Sequence, residues 1–166
     1  MDDARAGSIE EALAKKESKL RIYLDACCLS RLTDDQSQPR VRDEAEAVEH
    51  IVRMVREGLA TWVGSVVLSV EVSRNPDPDR RRDAEALLSF TNEIVVPKNA
   101  EADRARQIEE LGFSSFDALH LASAERAGVD VFLTTDDDLL RRARRNLGLL
   151  HVRVQNPVLW YEEAQS

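Results

Sequence analysis

The sequence is poor in almost every residue type that by itself announces a specialised chemistry. Its two cysteines, Cys27 and Cys28, are adjacent, so geometry disfavours an ordinary disulfide between them and no CxxC zinc pattern exists. We read both as buried small hydrophobes. The three histidines, His50, His120 and His151, do not stand at zinc-ligand spacing. No apolar run approaches the ~20 residues of a membrane span, and the charged N-terminus is not a signal peptide; a cytoplasmic protein that does not enter the membrane is expected. Basic residues are outnumbered, 23 against 31 acidic, for a net charge of -8, which excludes a broad basic face for nucleic acid and leaves only local patches. With six glycines, there is no Walker loop, no GxGxxG turn and no GxSxG elbow. Nucleotide-triphosphate, dinucleotide and serine-hydrolase chemistries are therefore removed.

What is present is an ordinary globular composition. At 166 residues and 43% hydrophobic, the chain fits one domain with one core. Residues 1–19, rich in charge and alanine, read as a surface helix ahead of a single domain over 20–166. Ile22, Tyr23 and Leu24 form a first strand that ends at Asp25. Val41, Ala45, Val48, Val52, Val55 and Leu59 recur at three- and four-residue spacing and predict a long amphipathic helix closed near Gly58. TWVG is a second strand, with Ser65 capping a helix to about Arg74. A helix over 79–90, a strand over 93–97, a helix begun by Asn99 and ended near Gly112, and a helix opened by Ser114 or Ser115 and closed by Gly128 follow. VDVFLTT, apolar almost throughout, reads as a strand buried on both faces. LLRRARRNLG is helix, HVRV a fifth strand, and PVLWYEEA a closing helix with Trp160 on the body. Strands alternating with helices predict a doubly wound α/β fold with a mostly parallel sheet. In such sheets ligands bind outside the carboxyl ends of the strands, where strand order reverses.

The candidate functional residues are acids at those ends. Asp136, Asp137 and Asp138 follow one strand and repel one another, so either a cation binds there or they serve the dipole of the next helix. The same alternatives hold for Asp117 in the first turn of its helix, and for Asp25 as a cap. Glu71 stands among Val66, Val67, Leu68, Val70 and Val72; buried, it would need a cation or donor, and on an exposed face it would need nothing. Gathered in one crevice, Asp25, Glu71, Asp117 and Asp136 are oxygen ligands suited to Mg²⁺ or Mn²⁺. Such an ion activates water and stabilises charge on a phosphoryl oxygen, which implies phosphodiester hydrolysis. A receiver-type phosphoacceptor is disfavoured, since paired acids after the first strand and a lysine after the last are both missing. Arg80 to Arg82 and Arg141, Arg142, Arg144 and Arg145 are either phosphate contacts or solvated helix surface.

YLDACCLSRL, Ser65 with Glu71, FDALHLASA and LTTDDDLL together resemble the PIN-domain ribonucleases, a family that includes the VapC-type toxins. The resemblance runs from Arg21 to Val154. It implies a three-layer α/β/α sandwich with a five-stranded sheet in order 3-2-1-4-5. It also implies metal ligation and catalysis by Asp25, Glu71, Asp117 and Asp136, with Asp138 as an accessory metal ligand and Asp137 pointing away. The activity implied is cleavage of mainly single-stranded RNA, with an antitoxin partner and a homodimer as the assembly. Ala26 and Cys27 depart from the pattern, standing where the family usually carries hydroxyl or amide side chains. The alternative is a PIN-fold interaction module with little or no activity. His120 is read as a packing residue outside the site.

Overall fold

The computed structural model describes residues 19–166; the expected N-terminal surface helix lies almost wholly outside them. Five short strands, β1 (Leu20–Leu24), β2 (Ala60–Ser65), β3 (Glu93–Val95), β4 (Val131–Leu133) and β5 (Val154–Gln155), pair in the order β3-β2-β1-β4-β5. Every pairing is parallel. Eight helices connect them among the described residues: α1 (Ala26–Ser30), α2 (Pro39–Arg56), α3 (Val66–Ser73), α4 (Pro78–Leu88), α5 (Asn99–Glu110), α6 (Ser115–Arg126), α7 (Asp137–Arg145) and α8 (Pro157–Gln165).

Strand alternation divides the core in two. Ile22, Leu24, Trp62, Val131 and Leu133 face one side and pack with Val48, Ile51 and Val52 of α2, Leu68 of α3 and Trp160 of α8. Tyr23, Val63 and Phe132 face the other and pack with Ala105 and Ile108 of α5 and Ala118, Leu121 and Ala122 of α6. The result is the three-layer sandwich in the expected strand order. Because both faces of the central strands are covered, their sequences read as continuous apolar runs.

Local chemistry places the boundaries. Ser65 accepts the Leu68 N–H at 3.1 Å and turns β2 into α3, as read from the sequence. Gly128, with φ 64°, adopts the left-handed conformation that ends α6. Several boundaries differ from expectation. The long helix starts at Pro39, two residues early, because proline suits a first turn whose N–H groups lack partners anyway. Leu59 lies beyond its end and is 58% exposed, so the last apolar position of the repeat is not core. The helix before β3 is capped by Asp77, which accepts from Asp79 N–H at 3.0 Å. In α5 the cap contact is made not by Asn99 but by Glu101, whose carboxylate accepts the Lys98 N–H at 2.8 Å. The fifth strand is Val154–Gln155, so HVRV contributes only its last residue. Edge pairing to β4 alone, through Phe132 and Leu133, sets its length.

Candidate functional site

Strand order reverses between β1 and β4, which are adjacent while their connections lead to opposite sides of the sheet. Asp25 closes β1 there, and its N–H donates to Leu133 O at 2.9 Å. Its side chain turns inward. Oδ1 accepts the Ala26 N–H at 2.8 Å, and Oδ2 accepts from Thr134 Oγ1 at 3.0 Å. Asp25 is 5% exposed, and its carboxyl is raised above the ordinary range. Burial is the main cause; the field of His120 opposes the rise, and that of Glu71 adds to it.

Thr134 ties this acid to the next. Its hydroxyl donates to Asp25 and accepts the Asp136 N–H at 3.1 Å. Asp136 itself caps α7, with Oδ1 accepting from Asp138 N–H at 2.9 Å and Leu139 N–H at 3.2 Å. The helix-capping and cation-binding readings of this acid are compatible, because the cap occupies one oxygen.

Cys27 corrects the sequence reading. Only Cys28 is fully buried; Cys27 is partly exposed. Its Sγ accepts the Thr135 N–H at 3.3 Å and lies 3.3 Å from Thr134 Oγ1 and 3.5 Å from Asp25 Oδ2. A thiol thus fills the polar position expected to be empty.

The opposite wall comes from α3 and α6, which meet over the carboxyl end of the sheet. Ser114 accepts the Asp117 N–H at 3.2 Å and starts α6. Asp117, one turn before His120, is half-buried. Its carboxyl is pushed up to about 6 by burial first and then by the fields of Asp25 and Asp136. Asp117 therefore lies within electrostatic reach of both Asp25 and Asp136 at this end of the sheet.

His120 must be added to the site. It is fully buried and packs edge-on to Tyr23, as a core residue would, yet its Nε2 meets Glu71 Oε2 at 2.5 Å. One ligand atom from each of Asp25, Glu71 and His120 lies within 4.8 Å of the others. Its Nδ1 is 2.6 Å from Tyr23 Oη, which in turn is 2.6 Å from Ser65 Oγ. An ionised Glu71 can only accept, so Nε2 carries a proton and donates it to Glu71, while the Nδ1 contact to Tyr23 fixes the ring. Burial opposes charge on this ring, but the hydrogen bond to Glu71 and the fields of Asp25, Glu71 and Asp117 outweigh it and raise its pKa. Both ring nitrogens have partners, so the ring orients Glu71 and leaves oxygen as the free donor type.

The outer acids of the cluster turn elsewhere. Asp137 takes a two-pronged contact from Arg40, at 2.7 Å to each oxygen. Arg40 also reaches Thr135 O at 3.3 Å and buried Glu44 at 3.1 Å, which fastens the β4–α7 loop to α2. Asp138 is exposed and paired with Arg141. Among the described residues no lysine or arginine pairs with Asp25, Glu71, Asp117 or Asp136. A buried carboxylate beside another acid, with oxygen donors and no lysine or arginine partner, fits a hard divalent ion. Thr134, Tyr23 and Arg40 were missed in the sequence. The one signal was the TT pair before the acids, since hydroxyl groups beside carboxylates commonly bond to them.

Fold and site together define an α/β protein with an acidic crevice at the switch point of a parallel sheet. The chain belongs to the PIN domain family, whose model matches residues 22–145. No curated protein matches it. Among solved structures it is similar to VapBC-1 of nontypeable Haemophilus influenzae at 14% identity and a TM-score of 0.53, covering 83% of this chain and 98% of the other. It is similar to VapBC2 of Rickettsia felis, bound to a DNA fragment from its promoter, at 11% identity and 0.51, covering 82% and 98%. It is also similar to the sarcin-ricin loop cleaving toxin VapC20 of Mycobacterium tuberculosis at 16% identity and 0.51, covering 80% and 98%. At these identities the likeness is one of fold. No helix among the described residues is long and apolar enough to cross a membrane.

Proposed function

We propose that this protein is a divalent-metal-dependent endoribonuclease that hydrolyses phosphodiester bonds of single-stranded RNA, acting as the toxin of a toxin–antitoxin pair. The observation that carries the reading is the buried Asp25 carboxylate, held by Thr134 and the Ala26 N–H, grouped with Glu71 and His120 and paired with no lysine or arginine among the described residues. Membership of a family whose members are generally nucleases supports the same reading. Asp25, Glu71, Asp117 and Asp136 hold Mg²⁺ or Mn²⁺, with Asp138 as an outer acid once it leaves Arg141. A bound divalent ion supplies charge stabilisation at the phosphoryl oxygens and lowers the pKa of water. The protein's own residues supply position: His120 aims Glu71, Tyr23 fixes the orientation of the His120 ring, and Thr134 couples Asp25 to the loop of Asp136. A net charge of -8 opposes a polyanion, so affinity for RNA is modest and depends on the bound ion and local contacts. Single strands are favoured because an A-form duplex hides its base edges.

A protein antitoxin and a homodimer belong to this reading. The likeness to VapBC complexes supports the first. The second is supported by apolar side chains left at the surface, Leu147 at 82% exposure among them; light scattering that returns a monomer would remove it. The alternative of an inactive interaction module loses ground at one of its two supports, because Cys27 makes polar contacts at its position while Ala26 offers only its backbone N–H. The test is cleavage of a varied RNA pool with Mn²⁺. Activity should vanish with EDTA and fall strongly in Asp25→Asn and in Asp136→Asn, with the double variant little worse, since groups that act as a unit are not additive. Uncut RNA from protein with demonstrated Mn²⁺ binding would overturn the proposal.

A further inference from the structure

Beside the acids, α3 and α6 carry a second pair whose chemistry neither the fold nor the metal reading uses. The Arg74 guanidinium lies over the Phe116 ring, with Cζ 5.2 Å from the centroid. Phe116 is half-buried and Arg74 exposed. Phe116 belongs to neither core cluster, although aromatic residues are scarce here, at 5% of the chain, and the two tryptophans, Tyr23 and Phe132 are all in the core. Among the described residues Arg74 forms no ion pair.

Position makes the pair informative. Arg74 follows Glu71 by three residues and Phe116 precedes His120 by four, so each shares a helix face with a member of the Glu71–His120 contact. The platform therefore stands about one helical turn, ~5 Å, from the acids. Nucleotides repeat every ~3.4 Å along a stacked strand and further apart when extended, so a strand with one phosphate over the acids brings an adjacent base to Phe116. A partly exposed aromatic ring with a guanidinium against it is a surface on which unpaired bases stack.

We infer that Phe116 and Arg74 form a nucleobase-stacking subsite that holds an unpaired base of single-stranded RNA next to the scissile phosphate. This rests on the ribonuclease reading and adds to it how the strand is gripped and why unpaired bases are required. A duplex offers no free base face there and is excluded.

The structure contains its own control. Arg56 lies over Phe90 at 4.9 Å in the same chemistry, but Phe90 precedes β3 and Arg56 ends α2, at the amino end of the sheet and away from the acids.

The experiment measures fluorescence anisotropy of a labelled short oligouridylate and of an abasic strand of equal length, with Ca²⁺ replacing Mg²⁺. Phe116→Leu should weaken binding of the intact strand by about 5- to 100-fold and leave the abasic strand and Mn²⁺ affinity unchanged. Phe116→Trp should bind the intact strand at least as well as wild type, with quenching of the new indole. Phe90→Leu should change neither strand. Equal affinity of wild type and Phe116→Leu for the intact strand, or equal losses on both strands, would overturn the subsite. If wild type cuts RNA and Phe116→Leu cuts it with the same KM, the subsite falls and the nuclease stands. If wild type neither binds nor cuts RNA, the nuclease reading falls and takes the subsite with it.

Discussion

Replacing Asp117 with asparagine should make the metal-free protein more stable and the metal-loaded protein less so. In the folded chain the Asp117 carboxyl is pushed from 3.8 to about 6, by burial first and by Asp25 and Asp136 next. At ~1.36 kcal/mol per pH unit this corresponds to about 3 kcal/mol for a fully shielded group. Asp117 is partly exposed, and solvent screening reduces the figure to roughly 1–2 kcal/mol. Against this, an acid in the first turn of α6 gains about 0.3–1 kcal/mol from the helix dipole, which asparagine forfeits. The net is about 1 kcal/mol in favour of Asp117→Asn at pH 7, or ~2–4 °C in Tm for a domain of this size. The pH dependence has a definite sign. The folded pKa is raised, so the stability contributed by this group is complete below about pH 4 and lost as pH rises through about 6; the gap between the two proteins should open across that window. Mn²⁺ should reverse the order, because an ion at ~100 times its Kd adds about 2.7 kcal/mol to the form that binds it. Calorimetry of both proteins, with EDTA and with Mn²⁺, reads all of this. An Asp117→Asn protein that melts below wild type in EDTA at pH 7, or a gap that does not change with pH, would refute the electrostatic account of the crevice.

Two further outcomes follow from the contacts around the acids. Arg40→Met removes the clamp on Asp137 and Thr135 and leaves buried Glu44 with Arg31 and Asn156 only. Urea denaturation should show a loss of about 1–2 kcal/mol, and Mn²⁺ titration a fall in affinity of up to about 10-fold; an unchanged affinity would show that the clamp does not position the loop. Cys27→Ala strips the Thr135 N–H of its acceptor and should cost about 1–2 kcal/mol, whereas Cys27→Ser keeps an acceptor in place and should stay close to wild type in the same assay. Equal losses in the two variants would mean that volume and not polarity is what Cys27 provides.

Much of the fold was legible in the order of residues. Unbroken apolar runs in β1 and β4 could only be strands covered on both sides, the three- and four-residue repeat from Val41 to Val55 could only be a helix laid on that sheet, and Ser65, Ser114 and Gly128 marked real ends because capping and left-handed turns are local chemistry. The acids were legible by type and by their place after strands. The rest depended on distance across the chain. Whether His120 was packing or site could not be read from α6 alone, since a buried ring on an apolar helix is both here: Tyr23 from β1 holds one nitrogen, Glu71 from α3 the other, and only the meeting of those elements joins them. Cys27 looked like a loss of polarity until the end of β4 brought the Thr135 N–H to its sulfur. Arg40 and Asp137 stand far apart in sequence and meet because α2 crosses beside the β4–α7 loop. Periodicity and caps are properties of neighbours, so the sequence by itself determined the elements and the crevice they open. The partners of each charged group are set by packing between layers, and that was decided only by the tertiary structure.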